Sequence, residues 1–194
     1  MDKVYDGNVK VWQQIGEDAI LAKGFGVTLV SRYFIRPTDK TEQEYHFVIG
    51  KEGVTIFALT THGKVVLKEE FKQGTARICL ECASAIIKKN ENYLVTAARE
   101  LQEETGFKAT TLIPVPGRFV FGERKLPFGY RLVIATGCYQ EGLPTPDEGE
   151  ASFNVYLANP EEFWRAVDEE KIIACQTIHA ASYAAAIGLI PGPR

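Results

Sequence analysis

Three glutamates near the middle of the chain have the type and spacing to bind a hard divalent cation. Glu100, Glu103 and Glu104 lie in the stretch from residue 91 to residue 107, and at about 100° per residue they project within one arc of a helix. The apolar residues of that helix point about 120° away, toward a core; they are Leu94, Ala97, Ala98 and Leu101. Carboxylate oxygens hold Mg²⁺ in proteins, and bound Mg²⁺ recruits phosphate oxygens.

The same acidic edge is also typical of a solvated helix face. Such a face usually carries Lys or Arg four residues on, yet Lys108 falls beyond Gly106, where the helix should end. Glu100 and Glu104 form an i,i+4 pair of like charges, which opposes the helix by roughly a few tenths of a kcal/mol. A bound cation would offset this repulsion. From spacing alone, both interpretations stay open.

A helix at residues 92–105 needs other elements to position it, and the sequence pattern predicts them. Runs rich in β-branched and aromatic residues predict a β-meander in the first part of the chain, with strands at 27–36, 44–50, 54–60 and 65–67. Later strands are expected at 111–115, 129–136 and 153–157, and helices at 160–169 and 174–187. Because there is no internal repeat or low-complexity linker, we expect one layered α+β domain.

The composition limits the classes of function. The 194 residues are 45% hydrophobic and 24% charged, which is enough apolar material for one core. With 22 Lys plus Arg against 25 Asp plus Glu, the net charge of -3 argues against a nucleic-acid or membrane-surface partner. No apolar stretch approaches the ~20 residues that cross a bilayer, and the first residues lack a signal-peptide pattern, so we expect a cytoplasmic protein.

The four cysteines predict structure rather than chemistry. They are too few for a disulfide scaffold in a chain of this length. Cys79 and Cys82 form a C-x-x-C pattern, but no second Cys or His pair lies nearby in the sequence to complete a zinc site. We therefore predict buried structural thiols.

The acidic stretch resembles the Nudix box, G-x5-E-x7-R-E-U-x-E-E-x-G-U, where U is apolar. Glu91 is followed after seven residues by the run from Arg99 to Phe107, and every fixed position agrees except the first, where Ala85 replaces Gly. The match favours the metal interpretation over a solvated face. The Cβ of Ala85 would be strained if the loop there required a positive φ.

Outside the box, the chain is similar to the ADP-ribose pyrophosphatase branch of the Nudix superfamily. Residues 64–72 and 80–85 resemble its "vvLveqyR" and "lE-x-PAG" motifs, and residues 146–150 and 170–174 resemble later segments. The resemblance implies an α+β fold, the Nudix α/β/α sandwich with a mixed sheet and an N-terminal antiparallel β subdomain. It also implies a homodimer formed through a β-rich dimerisation subdomain at 1–60, followed by a catalytic domain at 61–194.

The resemblance also implies a metal site. Glu100 and Glu104 would ligate Mg²⁺, with Mn²⁺ as an alternative, and Glu103 would hold a second metal ion or its water. The backbone carbonyl of Ser84 would complete the ligand shell. Residues 83–85 read A-S-A where the branch has P-A-G, so this part of the resemblance is incomplete.

Two further residues of the box would support the ligands. Glu91 and Arg99 would pair and fix the loop against the helix. The alternative for Arg99 is an ordinary surface arginine.

A general base is expected after the box, in the segment 142–150, where Pro and Gly prevent regular structure. The resemblance favours Glu148 as the base and Glu150 as an additional metal ligand, and the two roles could be exchanged. Without the resemblance, the segment is typical of a solvated turn.

Substrate contacts must come from outside the box. Lys72 stands where the branch usually has an Arg for phosphates or ribose, and its alternative is an ordinary strand-edge lysine. Several aromatic residues could stack on a base or pack in a core or interface; they are Trp12, Tyr33, Phe34 and Tyr45. The scattered histidines have no spacing suited to a metal.

The sequence thus predicts Mg²⁺-dependent hydrolysis of a nucleoside diphosphate sugar, with ADP-ribose favoured and AMP and ribose 5-phosphate as products. Alternative substrates are a GDP-sugar, another dinucleotide or a nucleoside triphosphate. Two alternatives from other classes are a non-catalytic nucleotide-sensing module and a scaffold dimer that binds no metal.

Overall fold

The computed structural model describes residue 7 and residues 9–145 and 153–193, and the chain divides into two compact units. The first comprises residues up to Lys51 together with Gly122–Phe128, and the second comprises Glu52–Phe121 and the chain from Gly129 onward.

The first unit is built on an antiparallel sheet. It consists of β1 (Gln13–Gly24), β2 (Val27–Ile35) and β3 (Glu42–Ile49), paired in that order. β1 was not predicted because its pattern is interrupted. Gly16 has a φ of 67°, and the pairing with β2 shifts register after Ile15 and again after Ile20.

Aromatic rings of this unit contact one another edge to face. The ring centroid of Tyr45 lies 5.9 Å from that of Trp12 and 5.8 Å from that of Phe34, whereas Tyr33 is exposed. Trp12, Phe34 and Tyr45 therefore pack against one another. Stacking of any of these rings on a substrate base stays a prediction.

The second unit contains the helices and most of a mixed sheet; residues 122 and 126–128 of this sheet belong to the first unit. Its strands are β4 (Gly53–Thr60), β5 (Val65–Lys72), β6 (Arg77–Glu81), β7 (Ala83–Ile86), β8 (Phe107–Lys108), β9 (Thr111–Pro114), β10 (Phe119–Gly122), β11 (Leu126–Gln140) and β12 (Phe153–Ala158). The order is β10-β11-β4-β5-β12, with β6 beside β5, β7 beside β4, and β8 and β9 beside β11. β4 and β11 run parallel, whereas β5 pairs antiparallel with β4, β6 and β12.

Helices cover both faces of this sheet, since successive side chains of β4 point to opposite faces and both faces are apolar. The helices are α1 (Tyr93–Thr105), α2 (Pro160–Asp168) and α3 (Cys175–Ala186). Ile56 packs in a buried cluster with Leu101 of α1, whereas Phe57 packs in another with Phe163 of α2 and Ala180 of α3. Each large apolar side chain buried in this way contributes about 1.5–3 kcal/mol. The predicted α+β class with helices on both faces of a mixed sheet is confirmed.

The division of roles between the two parts of the chain stays a prediction. β4, which precedes the predicted boundary between residues 60 and 61, is a central strand of the second unit's sheet. In the described part of the chain, none of the helices has the length and apolar character needed to span a bilayer.

Candidate active site

Both ends of α1 are fixed by capping residues. The side chain of Asn92 accepts a hydrogen bond from the backbone N–H of Leu94 at 2.9 Å. Gly106 has a φ of 76°, and its N–H donates to the carbonyl of Gln102 at 2.8 Å. These caps agree with the predicted end of the helix at Gly106, and they set the direction in which the acidic edge points.

The chain returns to the C-terminal end of α1 after β11. The N–H groups of Glu141 and Gly142 donate to the carbonyl of Gly106 at 2.9 and 3.2 Å, and that of Thr145 donates to the carbonyl of Glu103 at 2.8 Å. Residues 141–145 therefore lie against the helix end.

The predicted base Glu148 and the predicted ligand Glu150 come next in the chain. Both lie outside the described residues. Their roles stay predictions.

Glu104 is held from two sides inside the fold. It is 4% exposed, its Oε2 accepts the backbone N–H of Ser84 at 2.9 Å, and its Oε1 accepts a hydrogen bond from Lys68. Ser84 sits in β7 opposite Thr55 of β4, so a strand ladder fixes the donor. The structure thus brings Ser84 to Glu104 through its N–H group, and the predicted ligand role of its carbonyl stays a prediction.

Arg99 joins the remaining acids of the box. Its Nη1 lies 2.5 Å from Glu100 Oε1 and 2.7 Å from Glu103 Oε2, and its Nη2 lies 3.4 Å from Glu91 Oε2. Glu91 Oε2 also accepts the hydroxyl of Thr96 at 2.8 Å. The structure thus brings Arg99 and Glu91 together, as the resemblance implied, and adds two contacts along the helix edge.

These contacts perturb the acids differently. The Thr96 hydroxyl and then Arg99 lower the pKa of Glu91 below its ordinary value. Burial raises the pKa of Glu100, although Arg99 acts in the opposite direction. Glu100 is therefore a partly desolvated carboxylate that would gain from a further cation nearby.

A buried charge cluster lies beside Glu104, and sequence reasoning missed most of it. Lys68 Nζ contacts Glu104 Oε1, Glu70 Oε2 at 3.0 Å and Glu81 Oε1 at 3.6 Å. Lys72 Nζ lies 2.8 Å from Glu70 Oε2 and 2.6 Å from Glu81 Oε1. We call these five residues the Lys68 cluster.

Charge pairing dominates the protonation of the Lys68 cluster. Burial alone would lower the pKa of Lys68, but Glu104 and Glu81 raise it above its ordinary value, and Lys72 shows the same balance with Glu81 and Glu70. Burial likewise would raise the pKa of Glu70, but the two lysines lower it. Lys68, Lys72 and Glu70 are therefore charged near neutral pH.

The predicted substrate contact Lys72 is thus engaged within the protein. Its side chain is 33% exposed, and its ammonium group holds Glu70 and Glu81. A substrate phosphate would compete with these carboxylates, and the binding role stays a prediction.

Ala85, which replaces the first glycine of the box, is accommodated without backbone strain. It lies in β7 opposite Val54 of β4, and its φ is not in the left-handed region. The concern about a positive φ does not apply because a strand, not a tight bend, occupies this position.

The acidic edge fits a hard cation by donor chemistry. Glu100, Glu103 and Glu104 offer only carboxylate oxygens, the ligands that Mg²⁺ prefers. Among the residues that the structure describes, no three acidic, His or Cys side chains converge as a metal-binding group. Arg99 instead holds Glu100 and Glu103, and Lys68 holds Glu104.

Comparisons with known proteins identify the family of the chain. A family model described as NUDIX domain matches residues 49–175. Over 62 residues, 32% of this chain, the sequence is 34% identical to the ADP-ribose pyrophosphatase of Bacillus subtilis (strain 168), of which this stretch covers 34%. Over 55 residues, 28% of this chain, it is 34% identical to the methanol dehydrogenase activator of Bacillus methanolicus, of which it covers 30%. The chain therefore spans about a third of the length of these curated relatives.

A solved structure supports the fold over nearly the whole chain. It is described as the crystal structure of an ADP compounds hydrolase and has a TM-score of 0.78. The match covers 95% of this chain and 100% of the other, with 18% sequence identity. At this sequence identity, the likeness shows the fold alone.

Proposed function

This chain belongs to the Nudix domain family, and we propose that it hydrolyses the pyrophosphate bond of a nucleoside diphosphate sugar. The favoured substrate is ADP-ribose, with AMP and ribose 5-phosphate as products. The observation that carries the proposal is the edge of α1 where Glu100, Glu103 and Glu104 lie together within the matched domain. The similarity to an ADP-ribose pyrophosphatase favours the substrate.

The chemistry explains why such an edge is useful. A diphosphate repels an incoming hydroxide because its oxygens are negatively charged. When bound, a divalent ion neutralises that charge and lowers the pKa of the attacking water. Glu100 and Glu104 would hold the ion, and Glu103 would hold a second ion or its water. Mg²⁺ is the favoured metal, and Mn²⁺ is the alternative.

The protein's own groups would prepare these ligands. The Ser84 N–H and Lys68 fix the two oxygens of Glu104, so this carboxylate loses little side-chain freedom when it binds a cation. Arg99 links Glu91 to Glu100 and would keep the start of α1 attached to the segment before it. Glu148 would accept the proton of the attacking water, and Glu150 would add a ligand. Lys72 would face the substrate phosphates.

The proposal is tested by measuring AMP released from ADP-ribose with Mg²⁺, with Mn²⁺ and with EDTA. A GDP-sugar, a dinucleotide and a nucleoside triphosphate serve as alternative substrates in the same assay. We expect Glu104→Gln to lower turnover by at least about 100-fold, because the substitution weakens a metal ligand. The matched control Glu161→Gln, at an exposed position in the first turn of α2, should keep wild-type turnover. Release that persists in EDTA, or that Glu104→Gln leaves unchanged, would refute the mechanism.

The base is tested separately. Glu148→Gln and Glu150→Gln are each compared with wild type by kcat and KM. The variant that loses the base should lose kcat with little change in KM, and the variant that loses a ligand should also need more metal. Wild-type turnover in both variants would remove this segment from the mechanism.

We also propose that the protein is a homodimer formed through the first unit. The supporting observation is a set of apolar side chains exposed there; they are Val9, Val11, Ile20, Leu21 and Phe25. Light scattering after size exclusion should give about twice the chain mass of 21.6 kDa. Replacing Ile20 and Leu21 by Glu should yield monomers, whereas Ile187→Glu, at an exposed apolar position in the second unit, should not. A monomeric wild-type protein would contradict this proposal.

A further inference from the structure

We propose that the ammonium group of Lys68 takes the place of a metal ion among Glu70, Glu81 and Glu104. We call it the resident cation of the site, because its presence reduces by one the number of divalent ions that the site binds. This inference rests on the proposed metal-dependent function. It assigns a positioning role to a residue outside the Nudix box.

The arrangement around Lys68 has the form of a ligand shell. An ammonium group has three N–H donors, and here carboxylates from three elements converge on it. Glu70 comes from the same strand β5, Glu81 from β6 and Glu104 from α1. Lys68 lies opposite Glu81 in the β5–β6 ladder, so the backbone pairing fixes both ends of this contact.

Lys72 extends the arrangement to two cations bridged by shared oxygens. Oε2 of Glu70 lies 3.0 Å from Lys68 Nζ and 2.8 Å from Lys72 Nζ. Oε1 of Glu81 lies 3.6 Å from Lys68 Nζ and 2.6 Å from Lys72 Nζ. Carboxylate oxygens that bridge two cations are also a feature of sites with two metal ions. In this cluster, the cations are supplied by the chain.

Burial makes the charge balance of the Lys68 cluster decisive. Lys68 is 2% exposed and Glu81 and Glu104 are each 4% exposed, so water cannot neutralise their charges. The five described side chains of this cluster, three carboxylates and two ammonium groups, carry one excess negative formal charge. Without Lys68 the excess is two, which is the charge that one divalent ion neutralises.

Position explains why the resident cation matters for the proposed reaction. Lys68 binds Oε1 of Glu104, and Glu104 is the acid that links the Lys68 cluster to the edge of α1. Glu104 is thus fixed before any metal arrives, and Lys68 fills the inner position beside it. A divalent ion would then bind Glu104 from the outer side, where Glu100 and Glu103 lie.

The experiment counts bound Mn²⁺ by electron paramagnetic resonance and equilibrium dialysis. It compares wild type with Lys68→Met, Lys68→Arg and the control Lys171→Met. Methionine is one atom shorter than lysine, so it keeps the apolar stem and leaves the ammonium position open. Lys171 contributes an exposed ion pair with Glu169 at 2.7 Å, so its loss removes the same charge elsewhere.

We expect Lys68→Met to bind one more Mn²⁺ per chain than wild type, whereas Lys68→Arg and Lys171→Met bind the wild-type number. Adding Glu81→Gln to Lys68→Met should remove the additional ion, because it restores the native charge balance. If Lys68→Met binds the wild-type number of ions, the inference is wrong, even if ADP-ribose hydrolysis is intact. If wild type neither binds Mn²⁺ nor hydrolyses any substrate, the proposed function fails, but an ion gained only in Lys68→Met still supports the resident cation.

Stability gives an independent readout. Removing one partner of a buried ion pair should lower the Tm of Lys68→Met by about 10 °C in metal-free buffer. Mn²⁺ should recover about half of that loss in Tm. It should raise the Tm of Lys171→Met no more than it raises the Tm of wild type. If Lys68→Met is unfolded without metal, Mn²⁺ should restore a cooperative transition. A loss of stability that Mn²⁺ does not repair would mean that Lys68 is only a structural ion-pair partner.

Discussion

Gly106→Ala should destabilise the second unit in two separable ways. Gly106 has a φ of 76°, where an added Cβ costs about 1 kcal/mol. The new Cβ would also overlap the carbonyl oxygen of Gly142 and lie 3.1 Å from its carbonyl carbon. These are backbone atoms held by hydrogen bonds to Gly106 itself, so relieving the overlap should cost a further 1–3 kcal/mol, about the cost of overpacking a core. We expect a total loss of about 2–4 kcal/mol in the free energy of unfolding.

Gly63 provides the matched control for this prediction. It has a φ of 71°, and a Cβ there would meet nothing within 4 Å, so Gly63→Ala pays only the conformational cost. Both glycines lie in the second unit, and both substitutions restrict the unfolded chain equally. Urea unfolding should place Gly106→Ala about 1–3 kcal/mol below Gly63→Ala. Equal losses in the two variants would show that the contact with Gly142 is not a constraint.

Gly106→Ala should also lower the rate of the proposed reaction, because it displaces Gly142 and the residues that follow it. The N–H of Thr145 donates to the carbonyl of Glu103, so residues 141–145, which precede Glu148 in the chain, lie against the end of α1. Displacing Gly142 should lower kcat for ADP-ribose about tenfold at temperatures where the variant is fully folded. Gly63→Ala should keep wild-type kcat. A Gly106→Ala enzyme with unchanged kcat would separate this segment from catalysis.

Two further predictions concern protonation and thiol access. The pKa of Glu70 is lowered in the folded protein, so this group contributes stability above its ordinary pKa of 4.5, and the contribution is lost as pH falls through the folded pKa. The pKa of Lys72 is raised, so this group contributes stability below its ordinary pKa of 10.5, and the contribution is lost as pH rises through the folded pKa. These two groups should therefore give the Tm no slope between these limits and should lower it on either side. Glu70→Gln should show a shallower fall in acid than wild type, and equal acid slopes in the two proteins would contradict this. In native protein at pH 7, Ellman's reagent should react quickly with Cys175 alone of the cysteines, because Cys79, Cys82 and Cys138 are buried and burial raises the pKa of Cys138 to about 11. Fast labelling of a second cysteine would show that the core opens.

The elements predicted best are those whose local signals agree. α1 has an apolar stripe, Asn92 before its first turn and Gly106 after its last, and the helix begins and ends within a residue of the prediction. β1 lacks such agreement, because Gly16 and two register shifts break the alternation that identifies a strand. Local pattern therefore predicts a regular element and misses an irregular one.

The Lys68 cluster shows the limit of motif reasoning at a site. The box supplied Glu104, but the partners of Glu104 come from β5 and β6, and only strand pairing brings them together. One signal was present in the sequence. Lys68 follows an apolar run in its strand and Glu81 lies between apolar residues, and a charged residue inside a buried strand requires a buried partner.

The contacts of Arg99 and Lys68 change the argument from helix repulsion. The sequence suggests that a metal ion offsets the like charges of Glu100 and Glu104, but in the structure Arg99 already pairs with Glu100 and Lys68 with Glu104. The repulsion between these acids therefore does not by itself require a metal ion. A divalent ion at this edge must instead compete with two cations of the chain. Metal binding should consequently weaken the ion pairs of Arg99 with Glu100 and Glu103. Because Arg99 also contacts Glu91, we expect its side chain to move when a metal ion occupies the site.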